Sequence, residues 1–203
     1  MTPPPQWVAS ALGNGLAGGA MTDQGHEARI ESALAKARRV RIAVFDIDGV
    51  MTDGTLFLDD QGNESKGFNS LDGHGLRMLA HAGITLAIIT GRRSRCVELR
   101  AMNLGIAHVH QGVDDKLASF DELLGPLGLE RADAAYMGDD VVDLPVMRRC
   151  GLAVSVPAAP EIVRRHADIV TTRSAGHGAV REACEFIMAA QGSLDTELER
   201  YLR

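Results

Sequence analysis

The stretch Arg41-Ile42-Ala43-Val44-Phe45-Asp46-Ile47-Asp48-Gly49-Val50-Met51-Thr52-Asp53-Gly54 decides the fold. Ile42 to Phe45 is a short apolar, partly β-branched run, the pattern of a strand buried on both faces of a parallel sheet. It runs directly into two carboxylates two residues apart. Ligands of open α/β sheets bind beyond the carboxyl ends of strands, so Asp46 and Asp48 stand where a site is expected. Gly49 lets the backbone turn sharply there and come close to a ligand. A bare Asp-x-Asp also fits an ordinary acidic turn, so its meaning depends on what the rest of the chain supplies.

Working outward, Gly54 to Leu58 and Glu64 to Phe68 flank the turn-rich Asp59-Asp60-Gln61-Gly62-Asn63, which predicts a β-hairpin over residues 54–68. Strands are then predicted at Ile84 to Ile89, Ala107 to His110, Ala134 to Met137, Gly151 to Val156 and Asp168 to Thr171. Helices alternate with them at about Arg93 to Leu104, Asp115 to Leu124, Asp143 to Arg149, Pro160 to His166 and Ala179 to Gln191. This alternation predicts an α/β fold, a three-layer Rossmann-like parallel sheet with helices on both faces. Upstream, Ile30, Ala33, Leu34 and Ala37 recur at helical spacing among charges, so Glu27 to Arg39 reads as an amphipathic helix.

Residues 1–25 carry Pro3-Pro4-Pro5 and several glycines, and are expected to be disordered. Gly13-Asn14-Gly15-Leu16-Ala17-Gly18 matches the dinucleotide fingerprint, but no strand precedes it, so it is set aside. Met21 is as good a candidate start as Met1. A single domain is expected over residues 26–192, followed by a tail at 193–203.

The chain has 203 residues, 45% hydrophobic and 24% charged, with a net charge of −6. That balance argues against a nucleic-acid or anionic-membrane surface, so an anionic substrate has to be drawn by local cations. No apolar run reaches the roughly 18 residues of a membrane span, and the start lacks the basic residues of a signal peptide. Cys96, Cys150 and Cys184 are isolated, which fits a reducing, cytoplasmic setting.

Three further strand ends carry groups that phosphoryl transfer uses. One ends in Thr90-Gly91-Arg92, offering a hydroxyl, an open backbone N–H and a guanidinium. Lys116 follows a second strand and opens a helix. A third ends in Gly138-Asp139-Asp140, with Asp143 three residues on. Two acidic clusters sharing one crevice repel unless a cation lies between them, and oxygen-only ligands select a hard ion such as Mg²⁺.

Asp46-x-Asp48, Thr90, Lys116 and Gly138-Asp139-x-x-x-Asp143, in this order, resemble the four motifs of the haloacid dehalogenase (HAD) superfamily phosphatases. The similarity extends to Phe68-Asn69-Ser70-Leu71-Asp72-Gly73-His74-Gly75, Gln111-Gly112 and Gly178-Ala179-Val180-Arg181-Glu182. Over about residues 28–192 the chain resembles the branch that acts on 3-deoxy-D-manno-octulosonate 8-phosphate in lipopolysaccharide sugar synthesis. A sister branch acts on nonulosonate 9-phosphates. The resemblance implies a capless, tetrameric phosphatase with the hairpin in place of a cap. With only a hairpin over the site, water exclusion is expected to come from a neighbouring subunit.

The resemblance also implies roles. Asp46 is the nucleophile and Asp48 the acid and base. Asp46, Asp48 and Asp139 hold Mg²⁺, while Thr90, Gly91 and Lys116 hold the phosphoryl group. Asn69, Ser70, Leu71, Asp72, Gly73, Arg77, Arg92 and Arg100 contact a small sugar-acid phosphate, with Asp140 and Asp143 in support. Leu71 stands where some members have a basic residue. The tail beyond about Ser193 is expected to reach a neighbour's crevice. The alternative from another class is a non-catalytic binding or assembly subunit that keeps the fold.

Overall fold

The computed structural model describes residues 23–203, with side chains from Glu27 onward; of residues 1–25, expected to be disordered, those through 22 lie outside the described residues, and 23–25 begin a helix. Helix α1 (Asp23–Ala37) leads into strand β1 (Ile42–Phe45). A tight turn follows, with Gly49 at φ +88°. Next come the hairpin strands β2 (Phe57–Leu58) and β3 (Glu64–Ser65), helix α2 (Ser70–His81) and strand β4 (Thr85–Thr90). Helix α3 (Arg95–Leu104), strand β5 (His108–Gln111) and helix α4 (Lys116–Leu127) complete the first half. The second half is β6 (Ala134–Met137), α5 (Leu144–Met147), β7 (Leu152–Ser155), α6 (Glu161–Arg164), β8 (Ile169–Val170), α7 (Ala179–Ala190) and α8 (Leu194–Glu199).

The sheet runs β5-β4-β1-β6-β7-β8, and all its pairs are parallel. The chain builds outward from β1 through β4 to β5, then returns to β6 and builds the other way. That reversal opens a crevice at the carboxyl end of β1, the place where doubly wound sheets bind ligands. Phe45 is in register with Ile88 of β4 and Met137 of β6, so Asp46, Thr90 and Asp139 leave one rim together. β1 is buried throughout, which explains its unbroken apolar sequence. Helices α1 and α2 pack against α7, and α4 packs against α5.

Helix α2 is absent from the sequence-based prediction, because Gly73 and Gly75 lower helix propensity and the stretch reads as a loop. Packing explains both residues. A Cβ at Gly73 would lie 2.1 Å from Nη2 of Arg100, and one at Gly75 would lie 2.9 Å from the Cα of Arg181 in α7. The helix starts because Asn69 accepts the N–H groups of Leu71 and Asp72. The hairpin is smaller than its predicted span, with two residues per strand. Residues 194–199 form a helix that folds back onto α7 of the same chain, and Tyr201 meets His74 edge-on at 5.1 Å.

Candidate active site

Asp46 caps the turn after β1, with Oδ1 accepting the Ile47 N–H at 2.7 Å. Its Oδ2 accepts from the Lys116 ammonium at 2.7 Å, and the same ammonium donates to Asp143 Oδ1 at 2.6 Å. Lys116 reaches this position because Asp115 caps α4 and sets the first turn of that helix at the rim. Burial alone would favour a neutral lysine, but Asp46 and Asp143 hold its pKa above the ordinary value. Burial pushes Asp46 up to about 6, and Asp143 adds to that push against the pull of Lys116.

Asp143 is fully buried, and its carboxylate is saturated. Besides Lys116 it takes the Tyr136 hydroxyl at 2.6 Å and the N–H groups of Asp139 and Asp140 at 3.0 and 3.1 Å. It thereby shapes the loop that presents Asp139, while exposed Asp140 caps the next turn through the Val141 N–H. A Cβ at Gly138 would lie 2.5 Å from the Asp143 carboxyl carbon, so glycine is needed there. Asp139 is bound differently. Its Oδ1 is buried without a hydrogen-bond partner, and burial together with Asp46 and Asp143 raises its pKa to about 7. The other oxygen lies where a Cβ on Gly49 would come within 2.0 Å. One oxygen each of Asp46, Asp139 and Asp143 lies within 4.8 Å of the others. An all-oxygen set with an unpaired buried acceptor fits a hard divalent cation, and because Asp143 is already satisfied, Asp46 and Asp139 are the donors left for it.

Thr90 is buried at the end of β4, and its carbonyl accepts the Val113 N–H. Gly91 is exposed beside it. Gln111 accepts the Ser94 N–H at 2.8 Å and so ties the loop 90–94 to the end of β5.

Asp48 belongs to a second cluster. Its Oδ1 accepts from Lys66, and its Oδ2 lies 3.7 Å from Nε of Arg92, buried and without a hydrogen-bond partner. Glu64 completes the ring, 2.9 Å from Lys66 and 2.5 Å from Arg92. Arg92 and Lys66 hold the Glu64 carboxyl down at about 2.

The remaining expected substrate residues lie elsewhere. Arg77 donates to the Asn103 carbonyl at 2.7 Å, and Arg100 donates to the Asn69 carbonyl at 3.1 Å while stacking on Phe68. Both line a cavity of about 160 Å³ with Ser70, Gly73 and Asn103, and this cavity shares no lining residue with the Asp46 cluster. Leu71 is exposed. Asp72 is buried, and its oxygens take the N–H groups of Gly178 and Arg181, so within this chain it binds α2 to α7.

No protein-family model matches the chain. It is 44% identical over 162 residues to 3-deoxy-D-manno-octulosonate 8-phosphate phosphatase KdsC of Escherichia coli K12, covering 80% of this chain and 86% of the relative. The chain belongs to this phosphatase family. A solved phosphatase of that name from Moraxella catarrhalis, in complex with magnesium ion, phosphate ion and KDO, is similar with TM-score 0.83 and 42% identity. The match covers 84% of this chain and 98% of that one. A HAD superfamily hydrolase of subfamily III A from Legionella pneumophila reaches TM-score 0.85 at 40% identity over 89% of this chain and 99% of that one. The HAD-like fold expected from the motifs is the fold observed.

In this KDO 8-phosphate phosphatase family member, three contributors to the site escaped sequence reading. Lys66 and Glu64 sit on a short hairpin whose charges read as solvated, and Tyr136 reads as core. The alternation of Glu64 and Lys66 about Ser65 is the one signal that puts both on one face.

Proposed function

We propose that this chain is a Mg²⁺-dependent phosphatase that hydrolyses 3-deoxy-D-manno-octulosonate 8-phosphate to the free sugar acid and phosphate. The observation that carries it is the buried Lys116 locked between Asp46 and Asp143, with Asp139 against Gly49 at the same rim. The Moraxella relative's bound magnesium, phosphate and KDO support the choice of metal and sugar acid.

In this reading Asp46 attacks phosphorus, the ester oxygen departs, and Asp48 gives it a proton. Water then attacks the aspartyl-phosphate, Asp48 takes a proton from it, and inorganic phosphate leaves with Asp46 restored. Lys116 keeps Asp46 available as a carboxylate despite burial and offers a fixed cation to the phosphoryl oxygens, as Thr90 and Gly91 offer donors. Mg²⁺ held by Asp46, Asp139 and the Asp48 carbonyl supplies charge neutralisation when bound.

Arg92 stands at the mouth of the crevice, where it can meet the sugar-acid carboxylate. Arg77 and Arg100 serve a substrate in this scheme by facing a neighbouring subunit's crevice. Exposed Leu56, Phe57 and Leu58 on the hairpin support such a homotetramer, because an apolar face of that kind gains from burial. Free thiols at Cys96, Cys150 and Cys184 support a cytoplasmic location. The test is phosphate release from 3-deoxy-D-manno-octulosonate 8-phosphate against a nonulosonate 9-phosphate, with Mg²⁺ and with EDTA. Preference for the second substrate, or release that survives EDTA, rejects this assignment.

A further inference from the structure

Lys66 lies on the hairpin, beyond the core, yet its side chain is only 1% exposed. A lysine on a two-stranded surface hairpin normally keeps its ammonium in water, since burying an unpaired charge is costly. Here the charge is matched twice, by Asp48 in the turn after β1 and by Glu64 two residues back, on the strand that Lys66 follows. Glu64 in turn holds Arg92 at the end of β4, and Arg92 comes back to Asp48. The four groups form a closed ring of alternating sign that ties the hairpin to two core strands.

The hairpin is braced internally. Its tip is fixed by Asp59, which accepts the N–H groups of Gln61 and Asn63 and the Asn63 side-chain amide. Two short strands are marginal on their own, so the ring is what fixes where Lys66 stands. The consequence for Asp48 is specific. With Oδ1 taken by Lys66, the carboxylate cannot rotate freely, and Oδ2 is left buried without a hydrogen bond, 3.7 Å from Nε of Arg92. An acid that must hand a proton to one atom of a substrate needs its free oxygen in one direction.

We infer that Lys66 is a positioning residue for leaving-group protonation: it holds Asp48 from the hairpin so that Oδ2 faces the departing ester oxygen. This rests on the phosphatase reading above and deepens it. The bonds broken and formed are those of the proposed reaction, and Lys66 neither gains nor loses a proton.

Lys66→Met and Lys66→Arg separate this role from a structural one. The two probes are 3-deoxy-D-manno-octulosonate 8-phosphate, whose sugar alkoxide needs a proton to leave, and p-nitrophenyl phosphate, whose nitrophenolate does not. General-acid help is worth about 10²–10⁴, so misdirecting the acid in Lys66→Met should lower kcat on the sugar phosphate by about 10–100-fold. The loss on p-nitrophenyl phosphate should be at least about tenfold smaller, and KM for the sugar phosphate should move much less than kcat. Lys66→Arg, which can still reach Asp48, should recover most of the difference between the two substrates. Equal losses on both substrates, or a loss confined to KM, would overturn the inference. Wild-type protein that releases phosphate from neither probe would instead refute the phosphatase reading itself.

Discussion

The crevice is assembled from two ion clusters of similar composition and opposite construction. On one side Lys116 lies between Asp46 and Asp143, all three buried among core strands, with Tyr136 and two backbone N–H groups completing Asp143. On the other, Lys66 and Arg92 alternate with Asp48 and Glu64, and Arg92 is 47% exposed. The first is fixed by the sheet and cannot adjust without disturbing the fold. The second hangs partly on a small hairpin. In the mechanism we propose, attack on phosphorus, which needs an invariant geometry, draws on the rigid cluster, and leaving-group control draws on the one that hangs on the hairpin.

The largest effect expected on the rigid side is that of Asp46→Asn, which keeps the shape and removes the proposed nucleophile. Turnover should fall by about 10⁴-fold or more with the far-UV spectrum and melting curve preserved. Rates near wild type would move the chemistry away from β1. Lys116→Met should come next, losing about 10³-fold in kcat and destabilising the fold by about 3–5 kcal/mol near neutral pH, because two buried carboxylates lose their shared cation. A loss of activity without any loss of stability would show that the two clusters are built alike.

Asp139 tests the same side through pH. Its folded pKa of about 7, like that of about 6 at Asp46, lies above the ordinary carboxylate value of 3.8. The folded state therefore holds protons that the unfolded chain has released. Metal-free stability should decline as pH rises from about 4 to about 7 and then level off. Added Mg²⁺ should raise the melting temperature most at the upper end of that window, where its ligands are ionised. Asp139→Ala should flatten the metal-free decline and raise the Mg²⁺ concentration needed for half-maximal activity. Melting curves in EDTA and in Mg²⁺ across the window read both effects, and an unchanged Mg²⁺ requirement would remove Asp139 from the metal site.

What was legible in the sequence follows the same division. Buried strands announce themselves by unbroken apolar runs, and each polar residue at the end of one stands out, so Asp46, Thr90, Lys116 and Asp139, each ambiguous by itself, were picked out once their order matched the motifs the chain resembles. Helix α2 was not, because Gly73 and Gly75 weaken the local signal for the sake of close approach to Arg100 and Arg181. Lys66 was harder to read for a related reason. Its ammonium is matched by Glu64 two residues away and by Asp48 across the crevice, and the alternation about Ser65 records only the first of these. Asp72, expected by resemblance to contact substrate, accepts the backbone N–H groups of Gly178 and Arg181 in this chain, a role its sequence context does not announce.

The smallest effect belongs to the exposed edge of the ring. Arg92→Gln removes the partner that, with Lys66, holds Glu64 down at about 2, against an ordinary value of 4.5. A depressed acid stabilises the fold above its unfolded pKa, and the benefit fades as pH falls from about 4.5 towards 2. Because Arg92 is half exposed, solvent screening limits that benefit to about 1 kcal/mol or less. The variant should therefore melt slightly below wild type near neutral pH, and the gap should shrink in high salt and on acidification through that window. A destabilisation as large as that of Lys116→Met, or one indifferent to salt, would mean that the hairpin ring is as integral to the fold as the buried cluster, and the division of labour between them would fall.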